Sequence, residues 1–586
     1  MKRLALLALV AAACGGEAGN KAPATAASSG AGWVARSDAN ARLLLDVNAK
    51  YVPEEAANVG VEGLDDRVLD YTAGHNARLR ADLATAKKEL EARLAKEQDR
   101  EVALDLKVLI ASADRSLRSS KLHEDREVSF LNVAELVFGS LKSLLDERIP
   151  PARQKAAVKR LARYAGEGGT PLTDLAKADT LASFAAGGNR MPPAKMEVEK
   201  AIQNGKVLTD GIEALFKQFG VTGYEAPLAT YRTQIAAYQK WLETDVLPRT
   251  RADFRLAPDI YAMRLEETGV DLAPLEVAAL GHEGFDEIQK ELGVVAAKIA
   301  KARNLPSSDY RDVLKELKKE QIVGAEILPL YEKTLGELEA IIQREHLVTL
   351  PKRKAQIRLA TDAESAALPA PYLDPPRLIG NTGEKAVFVL PLSVPPKPGE
   401  PPTKFDDFSY AAAAWTLTAH EARPGHELQY ASMVEAGMSI ARAYFAFNSA
   451  NVEGWGLYAE YIAQPYMPPE GQLVSLVLRL HRAAREFLDP ELHLGKITPD
   501  QARAFLSKEV GLSTAFANSE VERYTFKSPG QATAYFYGFT RLLAIRQEVT
   551  MRQGPKFNLQ RFDDFVISKG VLPPALLREA AANELR

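Results

Sequence analysis

From Arg36 to the carboxyl terminus, apolar residues recur at three- and four-residue spacing over long stretches rich in Ala, Leu, Glu, Lys and Arg. That period commits most of the chain to packed amphipathic helices. Leu79, Leu83, Ala86, Leu90 and Leu94 form one stripe, and Val102 to Ile110 begins another. The same reading predicts helices over 131–146, 151–165, 196–219, 224–246, 275–302, 308–319 and 326–344. Pro150–Pro151, Gly168–Gly169, Pro192–Pro193 and Pro306 punctuate them. No stretch repeats at a fixed period, so the pattern does not read as a solenoid. The mixed-sign run Lys87–Arg100 reads as a solvated helix face.

Between Val348 and Phe408 the pattern changes. Ile357 and Leu359 alternate with Gln356 and Arg358, and Ala386 to Leu390 is a compact β-type run. Pro395 to Pro402 reads as a Pro-rich loop. One small sheet is therefore expected within a mainly α chain, with a helical region over 36–250 followed by a second region over 251–586.

Length, charge and cysteine count narrow the function class. At 586 residues the chain has room for about four domains of ordinary size. With 46% hydrophobic and 26% charged residues it has the composition of a soluble globular protein. A net charge of −3 offers nothing to a nucleic-acid backbone. The single cysteine excludes a disulfide framework and any multi-cysteine metal site.

That cysteine belongs to the amino-terminal pattern. Lys2 and Arg3 precede an apolar run from Leu4 to Ala13, too short to span a bilayer, and Cys14 follows three alanines. The segment resembles a bacterial lipoprotein signal: residues 1–13 removed, Cys14 lipidated, and 14–35 a flexible tether. Ala11 stands where that pattern prefers Leu, and no Asp follows Cys14. The resemblance implies an envelope protein anchored by lipid to the outer membrane and facing the periplasm.

The chemistry is concentrated in residues 420–453. His420-Glu421-Ala-Arg-Pro424-Gly425-His426 sets two histidines around a glutamate, a pattern that arises by chance in about 1–2% of chains of this composition. In the common zinc motif the histidines stand four apart on one helix face and the glutamate activates water. Six apart on a continuous helix they would be separated by about 9 Å along the axis and about 120° around it, too far to share an ion. Pro424 and Gly425, between them, are the residues most able to break a helix and restore convergence. Glu453, 27 residues beyond His426, is the third candidate ligand, since 427–447 leaves room for a helix and a turn back. Two histidines, a glutamate and one open position form a known catalytic zinc set.

His420-Glu421-x-x-Pro424-Gly425-His426 followed by Glu453-Gly454-Trp455 resembles the bacterial family catalogued as domain of unknown function 885. The likeness runs from about residue 36 to the end and includes Arg523-Tyr524 and Pro529-Gly530-Gln531-Ala532-x-x-Tyr535-x-x-Gly538. That family looks like a branch of the gluzincin zinc peptidases. The resemblance implies a large multi-helix body with a small sheet beside a gluzincin-like active-site helix pair. It implies one zinc per chain on His420, His426 and Glu453, with Glu421 as general base and a peptide or peptide-like substrate.

Three further expectations attach to the carboxyl-terminal part. Ser528-Pro529-Gly530-Gln531 reads as a capped helix start. On that helix Tyr535, Gly538, Leu542 and Arg546 share a stripe. Gluzincins often stabilise the oxyanion with a Tyr or His, so Tyr535 is the leading candidate, with Arg523 and Arg546 as substrate clamps. Arg485, Asp489 and His493 stand four apart, and the family resemblance gives His493 a supporting role, although Pro490 suggests that a new helix is capped at Asp489. The remaining histidines, His75, His123, His282, His346 and His481, lack a partner at ligand spacing. A zinc amidase acting on a cell-wall amide and a non-catalytic helical scaffold are the competing functions. A scaffold has no need of Glu421.

Overall fold

The computed structural model describes residues 31–322, 324–360, 364, 370–391 and 406–586. The signal segment, Cys14 and the Pro395–Pro402 loop lie outside the described residues. The chain divides into two compact units. One comprises residues up to Phe254 together with Arg377–Glu384 and Ser439–Phe445; the other comprises Arg255–Pro376, Lys385–Met438 and Ala446–Arg586.

The first unit is helical. Helix α1 (Ala31–Tyr51) begins before Arg36, so the last residues of the expected tether are helical, and Trp33 offers its ring to the Arg442 guanidinium at 4.7 Å. α2 (His75–Leu94) and α3 (Arg100–Arg126) form a hairpin whose second helix is capped by the Asp99 carboxylate, which accepts from the amides of Glu101 and Val102. Leu83, Ala86 and Leu90 are buried while the charged run beside them faces solvent. α4 (Val133–Lys142), α5 (Lys195–Gln218) and α6 (Glu225–Trp241) pack Val137, Leu141, Phe216, Tyr231 and Trp241 into the main core of this unit. The helix expected over 151–165 is interrupted at Lys155, and that over 224–246 widens after Trp241.

The returning segment Ser439–Phe445 is locked into the unit by charge. Arg442 Nε donates to Asp105 at 2.6 Å and Nη2 to Glu101 at 2.5 Å, while Asp105 also accepts from the hydroxyls of Ser37 and Ser439. Arg442 and Asp105 are fully buried, so each satisfies a charge that would otherwise be costly.

In the second unit the sequence-predicted helix at 275–302 is α7 (Pro274–Arg303). Strands β1 (Gln356–Leu359), β2 (Tyr372–Asp374) and β3 (Val387–Leu390) form the small sheet in the order β1-β3-β2, with β3 parallel to β1 and antiparallel to β2. The β-type run read at 386–390 is therefore the central strand. Both its edges are paired and its backbone has nothing left for a substrate.

The remaining elements frame the site. They are α8 (Ala411–Leu417), α9 (His426–Ala436), α10 (Ser449–Ala463), α11 (Pro469–His493), α12 (Thr514–Glu522) and α13 (Ala534–Gln553). α11 is the longest of them, lies along α7, and also packs on α8. α10 and α13 cross at two glycines: a Cβ on Gly538 would sit 1.8 Å from the Ala450 carbonyl oxygen, and one on Gly454 would sit 2.5 Å from the backbone of Gly538. Only hydrogen fits in this crossing. No helix among the described residues is long and apolar enough to cross a membrane.

Gly538→Ala is expected to destabilise the protein by about 1–3 kcal/mol or more, because two backbones must separate. Gly293→Ala, on the same kind of helix but with nothing within 4 Å of the added carbon, is expected to add about 0.4–1 kcal/mol. Denaturant unfolding of both variants checks the contrast, and equal effects would contradict the crossing.

Candidate metal centre

The helix carrying His420 does not continue to His426. After Leu417 the chain widens into a π-type turn over Thr418–Ala422, Arg423 is extended, and the Arg423–Pro424 peptide is cis. α9 then starts at His426. The break brings the two imidazoles to a centroid separation of 4.6 Å, with planes at 82°. It needs Gly425, because a Cβ there would lie 1.8 Å from the His420 carbonyl oxygen. The Trp455 indole N–H closes the break, lying 3.0 Å from the oxygen of Pro424 and 3.2 Å from that of Gly425, which also accepts from the Gln429 amide. Arg423, also buried, is held by Glu427, Glu339 and the Arg353 carbonyl.

α10 supplies the third group. Its amino terminus is capped by Asn448, which accepts from the Asn451 amide at 2.8 Å, and Glu453 projects from the first turns. The Glu453 Oε2 atom is 3.5 Å from His420 Nε2 and 3.4 Å from His426 Nε2. A tetrahedral zinc with bonds of about 2.0–2.1 Å has ligand–ligand edges of about 3.4 Å, so the spacing fits such an ion. These three are the one group of metal-ligand type among the described residues whose donor atoms all lie within 4.8 Å of each other.

The neighbours of the cluster orient it. Glu460, two turns after Glu453, accepts at 2.7 Å from His420 Nδ1, which leaves Nε2 turned to the cluster. Glu460 is itself held by the Thr416 hydroxyl at 2.5 Å. Sequence reasoning missed Glu460; its seven-residue offset from Glu453, on the same helix face, was the available signal. Gly456 lets the His420 ring lie against α10, since a Cβ there would be 2.5 Å from the imidazole Cε1. His426 Nδ1 is buried without a hydrogen-bond partner. Glu421 stands beside the cluster, its carboxylate 4.0 Å from His420 Nε2.

The site is electrostatically negative. Burial alone lowers the His420 imidazole, but its bonds to Glu453 and Glu460 carry it up to about 9. Against burial, the two histidines hold Glu453 well below the usual carboxylate range. Burial pushes Glu421 up. Three carboxylates around two imidazoles favour a cation, whether proton or metal.

Tyr535 lies at this site, its ring 6.5 Å from that of His420 and nearly parallel to it. Its hydroxyl oxygen accepts from Arg523 Nη2 at 3.0 Å, and the Arg485 guanidinium covers its ring at 4.6 Å. Arg485 is fixed by a two-pronged bond to Glu520 of α12, at 2.6 and 2.8 Å. Glu520 also takes bonds from His481 and the Tyr524 hydroxyl. Arg523 is thus a partner of Tyr535, and it also donates to the Gln531 side chain and pairs with Glu520 at 3.6 Å. Arg546, on the same stripe, is placed differently: it donates to the Tyr458 hydroxyl, which is bonded to Asp563.

Two sequence expectations are corrected. The helix does not start at Ser528. Gly530 has a left-handed backbone (φ 83°) and gives its N–H to the Asp489 carboxylate, Gln531 spends its side chain on Arg523 and Ser449, and the chain becomes helical only from Gln531. Nor does Pro490 begin a new helix. α11 runs through it to His493, and with only one turn remaining the missing N–H costs a single bond. Asp489 and His493 are then used internally. His493 accepts from the Leu256 amide, meets the Tyr524 carbonyl through Nε2 at 2.9 Å, and stacks on Tyr261, whose hydroxyl donates to Asp489.

The family described as "Bacterial protein of unknown function (DUF885)" matches residues 53–580, and the chain belongs to it. Its fold is similar to the crystal structure of the "putative lipoprotein" from Colwellia psychrerythraea, with a TM-score of 0.76 and 20% identity over 94% of this chain and 99% of that one. It is also similar to a "putative lipoprotein of unknown function" from Shewanella oneidensis, with a TM-score of 0.72 and 18% identity over 95% of this chain and 100% of that one. No curated protein matches the chain.

Burial pushes Asp489 up to about 7 against the bonds from Gly530 and Tyr261. The folded protein therefore holds this proton more tightly than the unfolded chain, and stability falls as pH rises from about 4 to about 7. Asp489→Asn, which still accepts both bonds, is expected to remove that decline, a difference of at most about 4 kcal/mol at neutral pH. Denaturant midpoints of both proteins at pH 5 and pH 8 test it; identical pH slopes would contradict it.

Proposed function

For this member of the family, we propose zinc-dependent hydrolysis of a peptide bond in the bacterial envelope. The observation that carries the reading is the convergence of His420, His426 and Glu453 beside Glu421, a carboxylate that the ligand set does not consume. A zinc ion held by those three residues would polarise the scissile carbonyl and acidify a water for attack. Glu421 would accept the proton of the attacking water and pass it to the leaving amine. Arg523 donates to the Tyr535 oxygen, so the phenolic hydrogen remains free to be given to the developing oxyanion. Arg523 and Arg485 thus act through Tyr535, by setting the direction of its hydroxyl and the position of its ring.

Residues 1–14 fit a lipid anchor at Cys14, and the two similar structures carry the description "putative lipoprotein". The proposed setting is the periplasmic face of the outer membrane. Intact-mass analysis of native protein should find acyl chains on an amino-terminal Cys14; an unmodified chain would refute the anchor.

Purified protein is expected to hold one zinc per chain and to lose it in the His420→Ala, His426→Ala double variant. Glu460→Gln should weaken the metal by about 10–100-fold, because His420 loses the acceptor that orients it. Full occupancy in the double variant would overturn the assignment.

Glu421→Gln is expected to keep its metal while losing about 10²–10⁴ of peptide-hydrolysis rate. Tyr535→Phe should lower kcat by about 10²–10³ and leave KM nearly unchanged. Peptide digestion and melting curves on the same samples separate these effects from misfolding. Unchanged turnover in zinc-loaded Glu421→Gln would sink the mechanism.

A further inference from the structure

The side chains of α11 provide one observation that the mechanism leaves unused. Three arginines on this helix are buried, and two have acceptors or partners that occupy them. Arg479 donates to Gln464 Oε1 at 2.6 Å and lies over the Tyr461 and Phe539 rings. Arg485 forms the two-pronged pair with Glu520. Arg482, between them, has neither arrangement.

Arg482 is only 8% exposed, yet its one hydrogen bond runs from Nη1 to the Leu478 carbonyl at 3.2 Å. Its Nε is buried without a partner, as is that of Arg479, but unlike Arg479 and Arg485 it has no side-chain acceptor, and Glu460 and Glu520 attract it only from beyond ion-pair distance. A buried guanidinium in that condition costs stability and keeps donors that a ligand could use. Arg482 stands one turn before Arg485, on the face of α11 from which Arg485 covers Tyr535, and its positive charge helps hold the Glu421 and Glu460 carboxyls down.

We propose that Arg482 is a specificity residue that binds a carboxylate of the substrate. The proposal rests on the hydrolase reading above and narrows its substrate class to peptides with a carboxylate close to the scissile bond. The planar guanidinium with unused donors suits two parallel bonds to a carboxylate and is poorly matched to a neutral amide. The carboxylate has two sources, the free end of a short peptide or an acidic side chain, and both present the same chemistry to Arg482.

The test is calorimetric binding to the zinc-loaded full chain carrying Glu421→Gln, which prevents turnover. The probes are N-acetyl-Ala-Ala, its carboxyl-terminal amide, and N-acetyl-Glu-Ala amide, whose only carboxylate is a side chain. The free acid is expected to bind at least about tenfold tighter than its amide. Adding Arg482→Gln should bring that ratio near one, and Arg482→Lys, which keeps the charge without the planar fork, should give an intermediate ratio. Should the Gln variant fail to fold, the Lys ratio decides. Tight binding of the glutamyl amide also supports the anchor and assigns it to acidic side chains. Equal binding of acid and amide together with weak binding of the glutamyl amide, or a carboxylate preference that survives both substitutions, would overturn the proposal. An acid preference lost with Arg482, in a protein whose zinc-loaded wild type cleaves neither peptide, would keep the anchor and remove the hydrolase reading.

Discussion

Two imidazoles six residues apart face one another only where the helix between them is broken, and a broken helix leaves polar backbone groups to be satisfied. Much of the second unit's interior answers that requirement. Trp455 bonds the Pro424 and Gly425 carbonyls, Arg423 ties the break to Glu427 and Glu339, and Gly425 gives the room to turn. Because Trp455 is two residues from Glu453, the group that repairs the break also places the Glu453 carboxylate beside the two imidazoles. The α10–α13 crossing at Gly454 and Gly538 then brings the Tyr535 helix close to that same turn. Ligand spacing, helix crossing and the position of Tyr535 are thus linked through a few short contacts.

Around this centre the buried charges are matched almost group by group. Glu460 answers His420, Glu520 answers Arg485, and Glu427 answers Arg423. In a low-dielectric interior such pairs fix geometry more than they add stability, since desolvation offsets most of their attraction. The pairing holds each ring or carboxylate in one orientation. Arg482 lacks such a partner, as does Glu486 one turn further along α11, whose two buried carboxyl oxygens accept no hydrogen bond.

Much of the centre was legible because its chemistry depends on rare residue types. Histidines are few here, a Pro-Gly between two of them is a visible breaker, and a returning glutamate is a short step from there. The helical body was equally legible from its period, down to the solvated face of α2. What escaped depends on tertiary partners. Glu460 looks like any helix glutamate until His420 is seen against it. Gln531 has the letters of a cap, but Arg523 and Ser449 claim its side chain. The order β1-β3-β2, which puts the 386–390 run in the middle, is set by chain return and not by local pattern. A buried arginine and an exposed one are the same letter, so Arg482 carried no mark. Arg546 shares a stripe with Tyr535, yet three turns of helix carry it to a different neighbour.

The chain that connects His426 to Glu453 does not stay in the unit that holds them. Between α9 and α10 it passes through Ser439–Phe445, where Arg442 neutralises Asp105 inside the first unit. As the polypeptide leaves the ribosome, some three hundred residues separate Asp105 from the cation that makes its burial tolerable. The first unit is accordingly not an autonomous folding block that can finish early. Its last electrostatic contact forms only after His426 has emerged and just before Glu453 does. Completion of the amino-terminal unit and convergence of His420, His426 and Glu453 are thereby brought into the same late interval of synthesis.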